Sequence, residues 1–172
     1  MHKRAGTLAM AAALALVVAA CGDDDETTSP QTNLVTYKAT LSGAAERPTP
    51  VTSPGTGSFT GTYNPTTGLL SYTVTFTGLG APSSLSHIHG PGTVDQAVGV
   101  LVNFQTVGNV LFIPGPTAET YNGTISLTAA NAITTTVSGD SLRKLMDAGL
   151  TYVNVHSTTY PGGEIRGQIT KQ

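Results

Sequence analysis

The chain has 172 residues, of which only 10% are charged, and it is rich in glycine and threonine and lacks tryptophan. Its 8 basic residues include Lys3 and Arg4 and its 10 acidic residues include the four at positions 23–26, so the remainder is formally neutral. A neutral domain lacks the basic patch that nucleic-acid phosphates require, and this argues against a nucleic-acid partner.

Residues 1–20 have the pattern of a secretory signal peptide, with a basic start, an apolar run over residues 8–18 and small residues at the end. The apolar run is too short to span a membrane. Residues 18–21, Val-Ala-Ala-Cys, resemble a bacterial lipobox, which predicts a lipid on Cys21 and attachment to a membrane. The alternative is an ordinary signal peptide followed by an incidental cysteine. Cys21 is the only cysteine, so no intramolecular disulfide can form.

The next segment, residues 21–33, is acidic at positions 23–26 and then small and polar. Such a composition cannot bury apolar area and predicts a disordered, solvated tether. Acidic residues directly after a lipidated cysteine resemble surface-export signals of some outer-membrane lipoproteins. We therefore expect an exported protein of the cell envelope, at the outer membrane or the cell surface.

Residues 34–172 form one predicted domain of short strands. Alternating apolar and polar residues predict strands over residues 34–42, 58–63, 70–77, 85–89, 98–104, 110–113 and 121–127. Proline- and glycine-rich segments separate them, and the threonine and valine content favours strands over helices. The pattern predicts an all-β fold, an antiparallel Greek-key β-sandwich.

One short helix is expected before the last two strands. Ser138 or Asp140 can cap its N-terminus, Leu142, Leu145 and Met146 lie at helical spacing, and Gly149 can end it in a left-handed conformation. The final strands are predicted as a hairpin, in which the Pro-Gly-Gly turn at 161–163 joins residues 152–156 to residues 165–169.

Three histidines are the sharpest candidates for chemistry. His87 and His89 lie two apart on a predicted strand, so both project from one face about 7 Å apart along it. His156, on another strand, could face them. Three imidazoles on adjacent strands are a ligand set for copper or zinc, with a coordination position left open. The alternative is that these histidines hydrogen-bond to loop backbone and fix the turns at one end of the sandwich.

Four neighbouring side chains could support this cluster. Tyr152 and Asn154 share a strand face with His156 and are either supporting partners or core residues. Glu164 and Arg166 share a face of the last strand, and we interpret them as a mutual ion pair or as contacts that hold this strand in register, with recognition of a substrate as the alternative. No serine lies in a nucleophile elbow, no phosphate-binding loop is present, and the carboxylates are scattered, which leaves no catalytic residue to name.

Three segments closely resemble the CHRD module, named after chordin: LSGAAERPTPVTSPGTGS (residues 41–58), SHIHGPG (86–92) and YVNVHSTTYPGGEIRGQI (152–169). They follow the family's order and span nearly the whole domain. The resemblance implies a non-catalytic binding or structural module of an extracellular or periplasmic protein, with an unnamed protein or ligand as partner.

A thinner resemblance links the sandwich, the His-x-His and the later histidine to copper/zinc superoxide dismutase. It implies the alternative function, a copper- or zinc-binding protein with redox activity. The chain departs from that enzyme because it lacks the histidines and aspartate of the zinc subsite, the disulfide cysteines and a suitably placed active-site arginine.

Overall fold

A computed structural model of the chain describes residues 33–107 and 112–172. Nine strands alternate with turns and one α-helix. The strands are β1 (Val35–Ser42), β2 (Thr56–Asn64), β3 (Leu69–Thr77), β4 (Ser83–His89), β5 (Val100–Asn103), β6 (Glu119–Ser126), β7 (Tyr152–Ser157), β8 (Ile165–Gln168) and β9 (Thr170–Lys171), and helix α1 spans Gly139–Asp147. The predicted all-β fold is confirmed.

The strands form one antiparallel sheet that curls into two halves. Strands β1, β2, β3 and β6 are neighbours in one half, and β5, β4, β7 and β8 are neighbours in the other. The halves join where Ser42 of β1 pairs with Arg166 of β8, and β9 also pairs with β1. Strand β6 returns to pair with β3, and β7 returns to pair with β4, which are Greek-key connections within a β-sandwich.

The core lies between the two halves and follows from the two-residue period of the strands. On β3, Leu70, Tyr72, Val74 and Phe76 are buried while the residues between them face solvent. From the other half, Ile88, Val153, Val155 and Ile165 enter the same core. Burying each large apolar side chain contributes roughly 1.5–3 kcal/mol, so this alternation fixes which face of every strand turns inward.

Helix α1 begins and ends as its sequence predicts. The Ser138 hydroxyl accepts a hydrogen bond from the Ser141 N–H at 3.2 Å, and Gly149 adopts a positive φ of 67° after the last turn. Leu142 and Met146 are fully buried, whereas Arg143 bonds Asp140 and Asp147 on the outer side. The helix thus packs one apolar stripe against the sandwich. Among the described residues, no helix is both long and apolar enough to cross a membrane.

Several local expectations differ from the structure. Of the predicted strand at residues 110–113, positions 110 and 111 lie outside the described residues, and Phe112 and Ile113 are not in a strand. A buried phenyl ring explains the apolar pattern there, because Phe112 packs edge-on against Tyr121 with ring centroids 5.2 Å apart. Strand β9 and a 3-10 turn at Gly43–Ala45 have no strong periodicity and were not predicted.

The outer face of the second half is covered by loops instead of facing solvent. All six residues of β7 are buried, the inward ones by the core and the outward ones, Tyr152, Asn154 and His156, by residues 90–99 and 158–163. Antiparallel sheets usually leave one face in water. Here the covered face is a second, polar interior, and it contains the histidines.

Candidate metal centre

The register of β4 against β7 brings the three histidines together. His87 and His89 point to the outer face of β4, and Leu85 of the same strand pairs with His156 of β7. The ring centroids lie 5.3 Å apart for His87 and His89, 4.8 Å for His87 and His156, and 5.9 Å for His89 and His156. One ligand nitrogen of each ring lies within 4.8 Å of the others, so the three imidazoles form one cluster.

The cluster is shielded from solvent. His87, His89 and His156 are 6%, 8% and 6% exposed, respectively. Burial is the main cause that lowers the pKa of His87 and of His89 to about 4, and the positive charge that the neighbouring histidines would carry acts in the same direction. Burial also lowers the pKa of His156. All three rings are therefore neutral at physiological pH, which is the state in which imidazole binds a metal.

Backbone carbonyls fix the protonation of two rings. His156 Nδ1 lies 3.0 Å from the Pro161 carbonyl oxygen, and His89 Nδ1 lies 2.8 Å from that of Val98. A carbonyl oxygen can only accept, so each Nδ1 carries the proton and each Nε2 keeps its lone pair. This carbonyl contact from the non-ligating nitrogen is the arrangement that orients metal-bound histidines.

The two Nε2 atoms have different surroundings. His156 Nε2 accepts a hydrogen bond from His87 Nδ1 at 3.0 Å, whereas His89 Nε2 is buried and has no partner in the described part of the chain. An unpaired buried acceptor is costly, about 1–3 kcal/mol, and native proteins rarely leave one. The cluster therefore has a place for a group that accepts this lone pair.

A copper or zinc ion fits this donor set. Three neutral imidazoles suit both ions, and metal–nitrogen bonds of about 2 Å would require the ligand nitrogens, now within 4.8 Å of one another, to move closer together. His87 would have to release its Nδ1 proton or bind through Nε2. Within the described residues, these three histidines are the only group of three or more histidine, cysteine, aspartate or glutamate side chains with such spacing.

Tyr152 and Arg166 support the cluster from one side. The Tyr152 ring stacks on His89 with centroids 4.9 Å apart and an interplanar angle of 1°. The Arg166 guanidinium lies 3.5 Å from the centroid of the Tyr152 ring. Both residues of this pair were expected near the histidines, and Tyr152 does contact one of them.

Glu164 and Arg166 do not form an ion pair with each other, although both are described and fully buried. Glu164 Oε1 instead accepts hydrogen bonds from the Ser53 hydroxyl and from the Gly80 N–H at 2.7 Å. Arg166 donates to the carbonyls of Thr93 and Gln96. Glu164, just before β8, and Arg166, within it, thus contact different loops.

Asn154 is hydrogen-bonded to Glu46, one of the scattered carboxylates to which the sequence assigns no role. Its Nδ2 atom donates to Glu46 Oε2 at 3.3 Å, and Glu46 is only 3% exposed. Burial raises the pKa of Glu46 to about 7, although Asn154 and Arg166 oppose the shift. Glu46 lies in the sequence block that resembles the CHRD module, but no pattern in the block indicates that the 3-10 turn carries it to β7.

Two grooves lie outside the histidine cluster. One, of about 540 Å³, crosses the threonine-rich outer face of β2, β3 and β6, and no histidine, cysteine or carboxylate lines it. The other, of about 410 Å³, lies between Glu46, Tyr160 and Gly163, beside the carbonyl that holds His156. Neither groove contains a group of metal ligands.

The predicted lipidation site, Cys21, lies outside the described residues. The sequence model of the CHRD domain matches residues 37–169, a range that includes all three histidines and their carbonyl partners. No curated protein matches the chain.

Proposed function

Because the chain belongs to the CHRD family, we propose that it is an exported binding module whose histidine cluster holds one copper or zinc ion. Membership of the family supports a binding or structural module in general. The metal is a further step, and it rests on the three histidines.

The unpartnered Nε2 of His89 is the observation that carries the metal site. A purely structural histidine would use both ring nitrogens or expose the second one to water, whereas this atom is buried in a ring whose centroid lies 5.3 Å and 5.9 Å from those of two other imidazoles. A bound cation would satisfy it and accept the lone pair of His156 at the same time. Neutral, proton-free nitrogens are ready for this role at physiological pH.

Redox chemistry like that of superoxide dismutase is the second candidate function. Three protein ligands leave a coordination position open, which a catalytic metal requires. Arg166, however, directs its guanidinium to the Thr93 and Gln96 carbonyls, so it is not available to attract an anion to the metal. We therefore favour a non-catalytic site, and a dismutase assay of the copper-loaded protein separates the two functions.

The location of the module is proposed from the N-terminal sequence. The Val-Ala-Ala-Cys motif at 18–21 and the acidic tether that follows support a lipid anchor on Cys21 and a position outside the cytoplasm. The membrane, through this lipid, and an extracellular or periplasmic protein or ligand are the proposed partners.

Titration of metal-stripped protein with Cu(II) and Zn(II) tests the metal site. We expect one ion to bind per chain, and His89→Ala to weaken binding by well over about tenfold, since even outer-shell changes cost about 10–100-fold. Gln168→Ala is the matched control. Gln168 lies on β8, on the same face of the sheet as the histidines, but its side chain bonds only the Gly92 and Gly149 carbonyls and, weakly, Arg166. A wild-type protein that binds neither ion at micromolar concentration would contradict the proposal.

A further inference from the structure

Three side chains from three strands stack in a column beside the proposed metal. The Arg166 guanidinium of β8 lies over the ring of Tyr152 of β7. The His89 ring of β4, the third side chain of the column, is parallel to the Tyr152 ring. A guanidinium over an aromatic face is attractive, and parallel stacking of two buried rings adds a further attraction. The column therefore holds the plane of the His89 ring.

The same column holds the carbonyl to which His89 is bonded. The Tyr152 hydroxyl accepts a hydrogen bond from the Val98 N–H at 3.1 Å and lies 3.3 Å from the Val98 carbonyl oxygen, which also accepts from His89 Nδ1. Tyr152 thus contacts both the imidazole and its backbone partner. Together these contacts set which nitrogen of His89 is protonated and where the free Nε2 points.

Arg166 fixes the rest of this loop. Its guanidinium donates to the Gln96 carbonyl at 2.8 Å and to the Thr93 carbonyl at 3.0 Å, and the side chain is only 2% exposed. A planar guanidinium can make these bonds and stack at the same time, whereas a lysine ammonium cannot reproduce the geometry. Arg166 therefore connects the loop that contains Val98 to the Tyr152 ring, which stacks on His89.

We propose that Tyr152 and Arg166 are positioning residues for the metal, acting through the ring and the Nδ1 proton of His89. This inference rests on the proposed metal site. It assigns a purpose to a buried arginine that has no carboxylate within ion-pair distance among the described residues and whose Nη1 and Nη2 atoms donate to loop carbonyls and to Gln168. Glu164, equally buried just before the same strand, contacts Ser53 and Gly80 and has no such role.

The test compares four variants of the purified full-length protein. Tyr152→Leu removes the ring, and Tyr152→Phe keeps the ring but removes the hydroxyl. Arg166→Lys keeps the charge but removes the planar guanidinium. Glu164→Gln is the control. Cu(II) affinity is measured by competition with a chelator, and the copper ligand geometry by electron paramagnetic resonance. The tautomer of His89 is measured without metal, by NMR of the ring nitrogens.

We expect Tyr152→Leu and Arg166→Lys to weaken Cu(II) binding about 10–100-fold and to change the copper spectrum, as loss of outer-shell partners does. Tyr152→Phe should lose less affinity than Tyr152→Leu, and Glu164→Gln should keep the wild-type spectrum even if it is less stable. Wild-type spectra and affinities in Tyr152→Leu would overturn the inference, and the two Tyr152 variants decide it even if Arg166→Lys fails to fold.

The metal-free measurement separates this inference from the proposed function. If the wild-type protein binds neither copper nor zinc, the metal site is refuted, and the NMR result alone then decides whether Tyr152 positions the His89 ring. A single Nδ1-protonated tautomer of His89 in the wild type, and a mixture in Tyr152→Leu, would support that role. The same tautomer in both proteins would end it.

Discussion

His87 Nδ1 lies 3.0 Å from His156 Nε2, and the direction of this hydrogen bond is set by a third residue. Because the Pro161 carbonyl requires a proton on His156 Nδ1, His87 must be the donor. Without metal, His156 is therefore bonded through both nitrogens, whereas His87 depends on a single bond to it. The two histidines should differ in their effect on stability.

His156→Ala should destabilise the metal-free protein more than His87→Ala does. The first change leaves the buried His87 N–H unpaired, at about 1–3 kcal/mol, and also removes the hydrogen bond to the Pro161 carbonyl, while the second leaves only the His156 acceptor unpaired. Urea unfolding in the presence of a chelator measures both. Equal or reversed losses would show that the hydrogen bonds are not arranged as the structure has them.

Glu46→Gln should make the free energy of unfolding less sensitive to a rise in pH from about 5 to above 7. The folded-state pKa of Glu46, about 7, is raised above its ordinary value of 4.5, mainly by burial. The folded state therefore favours the protonated form, and its stabilisation is fully present below about pH 4.5 and lost as pH rises through 7. The difference corresponds to about 3 kcal/mol. A glutamine amide can still donate to the unpaired Asn154 Oδ1.

Unfolding of wild type and Glu46→Gln at pH 5 and pH 9 measures this effect. Between pH 5 and pH 9, the free energy of unfolding of the variant should fall by about 3 kcal/mol less than that of the wild type. Asp95→Asn is the control, because Asp95 is exposed and pairs only with Arg47 at 3.6 Å, so it should follow the wild type. Parallel curves for wild type and Glu46→Gln would mean that Glu46 is already ionised at pH 5.

Gly163→Ala should be destabilising and Gly162→Ala nearly neutral. A Cβ on Gly163 would lie 2.5 Å from Asn154 Nδ2 and 2.8 Å from Glu46 Oε1, and its φ of 129° is unfavourable for alanine. We expect a loss of about 3 kcal/mol from strain and steric overlap. At Gly162, a Cβ would meet no atom within 4 Å, so thermal unfolding should show little change.

Cys21→Ser should abolish lipoprotein processing. A serine has no thiol to accept the lipid, so the protein should leave the membrane fraction or accumulate with its signal peptide attached. Mass spectrometry of the mature N-terminus provides the measurement, and Asp24→Asn, which retains the cysteine, is the control. A wild-type N-terminus that begins after residue 21 and carries no acyl mass would refute the anchor.

The all-β class, most strand positions and helix α1 can be predicted from the amino-acid sequence. These follow from local periodicity and from capping residues such as Ser138, whose effects act within a few positions of the chain. The His-x-His pattern likewise placed His87 and His89 on one face, because side chains alternate along a strand. The family resemblance is carried by the same local blocks.

The contact of His156 with the other two histidines, in contrast, is visible only in the three-dimensional structure. That contact depends on the register of β4 against β7, which is set by packing between residues some 70 positions apart. For the same reason, the sequence did not show that Glu46 reaches Asn154, that Arg166 bonds the Thr93–Gln96 loop instead of Glu164, or that Tyr152 stacks on His89. Polar side chains carry no periodic signal for their partners, since burial under loops depends on how those loops fold back.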